Sequence, residues 1–230
     1  MFPLECGEYL SGISRVYATM AMTSILSVED HALIREGLSR VIAKAIPDTE
    51  VVQVSNGSEA MAAIGKRSFS LVLLDISLPG RNGLEVLKEI KAFRPKLPVL
   101  VLTAYPEGQY STRAIKAGAA GFVSKAGPPE VLIQAVRQAL AGGMFITPRS
   151  AELLASESAD PSRPLHEQLS DREFDVFVRI GRGQTVGEIA KSLNLSAKTV
   201  STYRTRLLEK TGLRNNSEVV QYAVRNNLID

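Results

Sequence analysis

The stretch SLVLLDISLPGRNG, Ser70 to Gly83, decides the fold of this chain. An unbroken aliphatic run ends abruptly in a carboxylate, Asp75, and a loop rich in glycine, proline and asparagine follows it. Continuous apolar runs of this length are typical of parallel strands that are buried on both faces. Because ligands of open α/β sheets bind beyond the carboxyl ends of such strands, the sequence predicts that Asp75 lies at a functional edge.

Three further apolar runs also end in polar or small residues. SILSVED ends in Glu29 and Asp30, LPVLVLTA in Thr103 and Ala104, and GFVSKA in Lys125 and an alanine. Parallel strands bring their carboxyl ends to one edge, so three carboxylates, a hydroxyl and an ammonium should meet there. Taken singly, each residue has a simpler explanation, such as helix capping by the acid pair or a solvated lysine. Their joint placement favours a shared site.

Helical segments alternate with these strands. Apolar residues recur at helical spacing after the acid pair and again after Asp75, and Pro128 and Pro129 suit the start of a last helix. This alternation predicts a five-stranded, doubly wound parallel sheet of the flavodoxin-like type, with right-handed crossovers. We assign it to residues 24–141. Residues 1–23 match no part of the pattern and are interpreted as an N-terminal extension, disordered or preceding the true start.

Beyond residue 141 the sequence changes character. Residues 142–164 are rich in serine, proline and charged residues and are predicted to form a linker, whose AELLA stretch continues helically. Residues 165–230 contain short helical patterns that begin at capping boxes. The segment from Val186 to Thr205 predicts two helices joined by a tight turn, which is a helix-turn-helix motif within an all-α, four-helix domain.

The second helix of this motif has one apolar and one polar side. At 3.6 residues per turn, Val200, Leu207 and Thr211 share the side that we expect to pack inward. The candidate DNA contacts lie on or beside the opposite side: Lys198, Ser201, Thr202, Thr205, Arg206 and Lys210. The local excess of positive charge favours phosphate binding, while hydroxyl and guanidinium groups can reach base edges. A merely solvated face of a helical bundle is the competing interpretation.

Composition narrows the class of protein. A chain of 230 residues fits one or two domains, and 45% hydrophobic with 22% charged residues is ordinary for globular proteins. No apolar run reaches the ~18 residues that a membrane-spanning helix needs, so no membrane contact is expected. The single cysteine, Cys6, excludes an intramolecular disulfide and fits a reducing cytoplasm.

The ordered set of acid pair, aspartate, threonine and lysine resembles the receiver domain of bacterial two-component response regulators. Residues 169–223 resemble the LuxR-type helix-turn-helix domain, and the combination resembles the NarL/FixJ class, most closely its GacA and UvrY branch. The resemblance implies that Asp75 accepts a phosphoryl group from a sensor histidine kinase. It implies a Mg²⁺ site formed by Glu29, Asp30, Asp75 and the backbone carbonyl of Ser77, in keeping with the preference of Mg²⁺ for oxygen ligands. It implies phosphate-sensing and switch roles for Thr103, Ala104, Phe122 and Lys125.

The same resemblance implies a cytoplasmic transcription regulator that binds double-stranded promoter DNA. Such a protein is not an enzyme beyond its own phosphorylation and dephosphorylation, and it is expected to form a homodimer when phosphorylated. Phosphorylation should release the DNA-binding domain, allow dimerisation, or both. Two alternatives remain open: a phosphorylation-independent DNA-binding regulator with a vestigial receiver, and a receiver-type phosphotransfer enzyme.

Overall fold

A computed structural model of the chain describes residues 22–104, 108–159 and 164–229. The predicted N-terminal extension lies almost entirely outside these residues. The described residues form an α/β domain followed by a helical domain, as the sequence predicts. Within them, no helix combines the length and the apolar character needed to cross a membrane.

The α/β domain is built on one sheet of five strands. These are β1 (Thr23–Val28), β2 (Thr49–Val54), β3 (Leu71–Asp75), β4 (Val99–Thr103) and β5 (Gly121–Ser124). They are ordered β2-β1-β3-β4-β5, and every neighbouring pair is parallel. Asp75 is in register with Leu102, and Thr103 with Ser124, so the polar strand ends share one edge. The predicted doubly wound sheet is confirmed.

Five helices cover the two faces of the sheet. These are α1 (Ala32–Ala45), α2 (Gly57–Lys66), α3 (Gly83–Phe93), α4 (Gln109–Lys116) and α5 (Pro129–Leu140). Leu71 and Leu73 belong to the core beneath α1 and α5, whereas Val72 and Leu74 belong to the core beneath α2, α3 and α4. Strand β3 therefore supplies both cores by simple alternation, which explains its continuous aliphatic sequence.

Two glycines shape the loop between β3 and α3. A Cβ on Gly83 would lie 2.1 Å from the carbonyl oxygen of Asp75, so α3 can begin this close to the strand only at a glycine. Gly80 has φ +75°, a conformation that costs glycine little and most other residues more. The loop is thus held in a tight, specific path directly after Asp75.

The helical region begins earlier than the predicted domain. Helix α6 (Pro148–Ala159) includes the AELLA stretch and occupies much of the segment predicted as a linker. A short 3₁₀ helix (Leu165–Gln168) precedes α7 (Asp171–Gly181), α8 (Val186–Ser192), α9 (Ala197–Thr211) and α10 (Asn216–Arg225). Capping boxes start α7 at Ser170 and α8 at Thr185, as the sequence predicts.

Helix α7 is buried along its whole length. All 11 of its residues are buried, and they include Asp171, Arg172, Glu173, Asp175 and Arg179 as well as the aromatic and aliphatic positions. One side packs against α9 and α10, and another lies against the α/β domain. Charged groups are rarely buried unless they are paired. The charged side chains of α7 should therefore have partners in both domains.

Candidate functional site

Asp75 is the last residue of β3 and points into the edge where the strands end. It is 1% exposed, and its Oδ1 accepts a hydrogen bond from the backbone N–H of Ser77 at 3.1 Å. The first residue of α3, Gly83, donates its N–H to the carbonyl of Ile76 at 2.9 Å. The backbone that follows Asp75 is therefore held in place, which positions an acceptor group for chemistry.

Lys125 connects two of the carboxylates. Its Nζ lies 2.8 Å from Oδ2 of Asp75 and forms an ion pair with Glu29. Its backbone N–H donates to the carbonyl of Thr103 at 2.7 Å, so β4 and β5 are joined at the site. The side chain of Thr103 is fully buried, whereas the adjacent Ala104 is exposed. The predicted acid, hydroxyl and ammonium groups do converge on one edge.

The carboxylates form a compact cluster with a histidine that the sequence analysis did not include. Ligand atoms of Glu29, Asp30, His31 and Asp75 all lie within 4.8 Å of one another. Nδ1 of His31 lies 2.9 Å from Asp30 Oδ1 and 3.1 Å from Glu29 Oε1. The signal was present in the sequence, since His31 directly follows the acid pair.

Burial and charge act against each other in this cluster. Burial raises the pKa of Asp75, and the Lys125 ammonium and the Ser77 N–H only partly offset this effect. Burial disfavours the Lys125 ammonium, but the charges and hydrogen bonds of Asp75 and Glu29 outweigh it and raise the pKa of the lysine. The lysine therefore stays charged beside the carboxylate.

The donor set fits a divalent cation. Three carboxylates lie together, and one ammonium, that of Lys125, forms ion pairs with two of them. Clustered anions of this kind are favoured by a bound hard cation, and carboxylate oxygens are the ligands that Mg²⁺ prefers. The guanidinium of the nearby Arg35 donates to the backbone carbonyls of Glu29 and Asp30 rather than to their carboxylates.

Phe122, the predicted switch residue, lies three positions before Lys125. It is 2% exposed and belongs to the core that also contains Tyr110 and Ala114 of α4. In this structure the ring therefore occupies an inward position.

The second candidate site is the outward side of α9. Val200 and Leu207 are fully buried and Thr211 is 5% exposed, as the helical spacing predicts. The exposed residues on the other side are Lys198, Ser201, Thr202, Thr205 and Arg206. Within the described parts of the chain, neither Lys198 nor Arg206 forms an ion pair with an acidic side chain. Both cations are thus available to a phosphate backbone.

Lys210 differs from the other predicted DNA contacts. Its Nζ pairs with Oε2 of Glu173 on α7 at 2.6 Å. This ion pair ties the end of α9 to α7 within the domain. A DNA phosphate would have to compete with it, so Lys210 is a weaker candidate than Lys198 or Arg206.

A junction between the two domains was not predicted from the sequence. Arg113 of α4 donates to the carbonyls of His166 at 2.6 Å and Leu169 at 2.9 Å. Asp171 of α7 pairs with Lys88 of α3 at 2.5 Å and with Arg113 at 3.4 Å. Burial lowers the pKa of the Arg113 guanidinium, and the Asp171 carboxylate opposes this effect.

Comparison with known proteins gives matches to both domains. The family model "Response regulator receiver domain" matches residues 25–137, and "Bacterial regulatory proteins, luxR family" matches residues 167–223. Response regulator GacA of Pseudomonas aeruginosa is 34% identical over 211 residues, covering 91% of this chain and 99% of that protein. Response regulator UvrY of Escherichia coli is 32% identical over 209 residues, covering 90% and 96%.

Solved structures of similar fold also match this chain. RcsB from Salmonella enterica serovar Typhimurium, bound to promoter rprA in the presence of phosphomimetic BeF₃⁻, matches with a TM-score of 0.60 and 26% identity. The match covers 87% of this chain and 97% of that one. A LuxR-family response regulator from Aurantimonas sp. SI85-9A1 matches with a TM-score of 0.56 and 30% identity, over 61% of this chain and all of its own.

Proposed function

This chain belongs to the two-component response regulators with a LuxR-type DNA-binding domain, and from that premise we propose that phosphorylation of Asp75 switches its control of transcription. The observation that carries the proposal is the pairing of the buried Asp75 carboxylate with Lys125 at 2.8 Å, inside a cluster of acids. The phosphoryl donor is a sensor histidine kinase.

The chemistry assigns separate roles to the groups around Asp75. Phosphoryl transfer depends mainly on positioning and on stabilisation of negative charge. An Asp75 oxygen attacks the phosphorus atom of the kinase phosphohistidine and forms a P–O bond as the P–N bond breaks and the imidazole leaves, while the Ser77 N–H holds the carboxylate in place. The Lys125 ammonium offsets negative charge on the incoming group, and Thr103 donates a hydrogen bond to it. The small, exposed Ala104 leaves room for entry.

Glu29, Asp30, Asp75 and the backbone carbonyl of Ser77 are the residues proposed to hold Mg²⁺. When bound, the cation supplies positive charge that lets an anionic phosphoryl group approach an anionic carboxylate. The three carboxylates supply the hard oxygen donors, and their mutual repulsion in the absence of a cation favours its binding. Thr103 is proposed to shift toward the phosphoryl group, and Phe122, whose ring is already buried in this structure, to turn further inward into the space that Thr103 vacates.

The output of the switch is proposed to be binding of double-stranded promoter DNA by the outward side of α9. Lys198, Ser201, Thr202, Thr205 and Arg206 are the proposed contacts, with Lys210 in a supporting role. Half-sites about one helical turn apart would match a two-fold dimer, which we propose forms on phosphorylation. A protein that binds promoters in response to a kinase acts in the cytoplasm.

The two alternative functions are less well supported. A vestigial receiver would not need the acid pair, the aspartate and the lysine to converge, yet Lys125 pairs with both Glu29 and Asp75, and Asp30 lies in the same cluster. The curated relatives are response regulators rather than separate phosphotransfer enzymes.

The decisive experiment is labelling with acetyl phosphate in the presence of Mg²⁺. The wild-type protein should acquire a phosphoryl group that hydroxylamine or base removes, as expected of an acyl phosphate, and Asp75→Asn should acquire none. Asp48→Asn is the matched control, because Asp48 is exposed and lies just before β2, away from the carboxyl ends of the strands. Equal labelling of wild type and Asp75→Asn would refute the proposed acceptor.

A further inference from the structure

The loop that follows the phosphoacceptor also contacts the DNA-binding domain directly. Gly80, five residues after Asp75, donates its backbone N–H to the carbonyl of Leu193 at 3.3 Å. The carbonyl of the same glycine accepts a hydrogen bond from the guanidinium of Arg172 on α7. One residue of the loop is thus bonded to two separate parts of the other domain.

Leu193 is an informative partner because of its place in the helix-turn-helix. It is the C-terminal cap of α8, is 1% exposed, and precedes the turn that leads into α9. The following residue, Asn194, has φ +52°, and the N–H of Leu195 donates to the carbonyl of Ala190 at 2.8 Å. A displacement of the Leu193 carbonyl would therefore change the relative position of α8 and α9.

The loop is stiff enough to transmit such a displacement. The Ser77 N–H is bonded to the side chain of Asp75, and the Gly83 N–H to the carbonyl of Ile76. Between these two points, the buried Asn82 accepts from the Leu84 N–H at 2.8 Å and donates to the carbonyl of Asp171 at 3.3 Å. A change in the hydrogen bonding of Asp75 acts on the same short loop that carries Gly80.

The packed arrangement leaves the DNA-facing side of α9 open. The receiver contacts α7, the 3₁₀ helix and the turn after α8, whereas Ser201, Thr202, Thr205 and Arg206 remain exposed. Release of the DNA-binding domain, one of the two expected consequences of phosphorylation, is therefore not needed to uncover this side.

We propose that the loop from Ile76 to Gly83 is a direct mechanical link through which the state of Asp75 sets the geometry of the helix-turn-helix while the two domains stay packed. This inference rests on the proposed phosphorylation of Asp75 and adds the route by which it acts. Arg172 is the positioning residue of the link, since it fixes the Gly80 carbonyl against α7.

Arg172 can be substituted without leaving the carboxylate of Asp175 unpaired. It lies 3.4 Å from Oδ2 of Asp175, but Arg179 binds Oδ1 of the same carboxylate at 2.8 Å. Arg172→Gln therefore removes the donor to Gly80 and keeps one cation on Asp175. Arg172→Lys is a second variant, which keeps the charge but loses the planar, multiple-donor geometry of the guanidinium.

Arg81→Gln is the matched control. Arg81 lies next to Gly80 in the same loop, but its guanidinium pairs at 2.6 Å with Glu89 of α3, inside the receiver. The substitution removes one guanidinium charge beside Gly80 without removing a contact to the other domain.

The test is hydrogen exchange of the full chain with and without Mg²⁺ and beryllofluoride. The exchange rates of the backbone amides are measured in two segments, residues 76–83 and residues 190–196. In wild type and Arg81→Gln, both segments should change their exchange rates by about fivefold or more, the lower end of ordinary coupling between sites. In Arg172→Gln and Arg172→Lys the change should be confined to residues 76–83.

Each outcome has a distinct meaning. No response of residues 76–83 in wild type would refute the proposed function, and the link with it. A response in residues 76–83 without one in residues 190–196 would overturn the link alone. The link is also overturned if either Arg172 variant transmits the change as fully as Arg81→Gln does.

Discussion

The guanidinium of Arg113 lies over the ring of Phe174, with its carbon 4.2 Å from the ring centroid, across the boundary between the two domains. Phe174 is fully buried, and Tyr110 packs edge-on against it with ring centroids 5.0 Å apart. The junction therefore combines a cation over an aromatic face with hydrogen bonds to backbone carbonyls. Such contacts hold two domains in one orientation.

Removing the Arg113 guanidinium should loosen this junction. Arg113→Gln loses the contact with Phe174, worth about 2 kcal/mol when desolvated, and removes the guanidinium hydrogen bonds to the carbonyls of His166 and Leu169. We expect calorimetry to show one unfolding transition for wild type and two separate transitions for Arg113→Gln. Arg94→Gln is the control, because Arg94 stacks on the exposed Phe93 within the receiver. A single, unshifted transition in Arg113→Gln would contradict the prediction.

Replacing one carboxylate of the acid cluster should weaken Mg²⁺ binding. Asp30→Asn exchanges a charged ligand for a neutral amide, and we expect the dissociation constant to rise by about tenfold, equivalent to about 1.4 kcal/mol. Isothermal titration with Mg²⁺ measures the change. Asp48→Asn should bind like wild type, and equal affinities for all three proteins would place the cation elsewhere.

His166 should make the fold sensitive to acid. Burial, followed by the charge of Arg113, lowers the pKa of His166 to about 4 from an ordinary value of 6.5. Below pH 6.5 the His166 imidazole of the unfolded chain therefore binds a proton, whereas in the folded chain it becomes protonated only near pH 4. Stability is lost as the pH falls through this window, by about 2 kcal/mol between pH 7 and pH 5.

Urea unfolding of wild type and of His166→Gln, each at pH 7 and at pH 5, checks this prediction. The variant should lose less stability on acidification than wild type does. If His166→Gln loses as much stability as wild type, another group is responsible for the acid sensitivity.

The basic side chains of α9 should control the salt dependence of DNA binding. Lys198→Ala and Arg206→Ala each remove a cation from the outward side, so a lost phosphate contact should lower the slope of log affinity against log salt by about 0.9. If Arg206 reads a base, its loss should also reduce discrimination by roughly 1–3 kcal/mol. Fluorescence anisotropy with mixed-sequence and promoter duplexes measures both effects.

Arg40→Ala is the control for this series, since it removes one positive charge from α1 of the receiver, where Arg40 pairs with Glu36. Its slope should equal that of wild type. Equal slopes for all the variants would mean that α9 does not meet the phosphate backbone.

The sheet and the acid cluster were predictable because their signals are local. Each strand is a short aliphatic run, and the parallel order of the strands places Glu29, Asp75 and Lys125 at one edge whatever the rest of the chain does. The inward side of α9 was predictable for a similar reason, since helical spacing alone separates Val200 and Leu207 from Arg206.

The junction between the receiver and the helical domain was not predictable, because it depends on how the two folded domains pack against each other. Asp171 and Arg172 have the sequence character of an ordinary charged first turn, yet both are buried against the receiver. Gly80 reads as a loop glycine, and its contact with Leu193 joins residues more than a hundred positions apart. No local pattern encodes such a pair.

The burial of α7 on all sides has a consequence for anyone who recombines these domains. The two-domain organisation suggests that one receiver could be exchanged for another. In this protein, however, α7 of the DNA-binding domain is buried partly by side chains of its own receiver. A transplanted receiver without equivalents of Lys88, Tyr110 and Arg113 would leave Asp171 and Phe174 facing water. In a functional chimera of this protein, α3, α4 and α7 should therefore all come from the same parent protein.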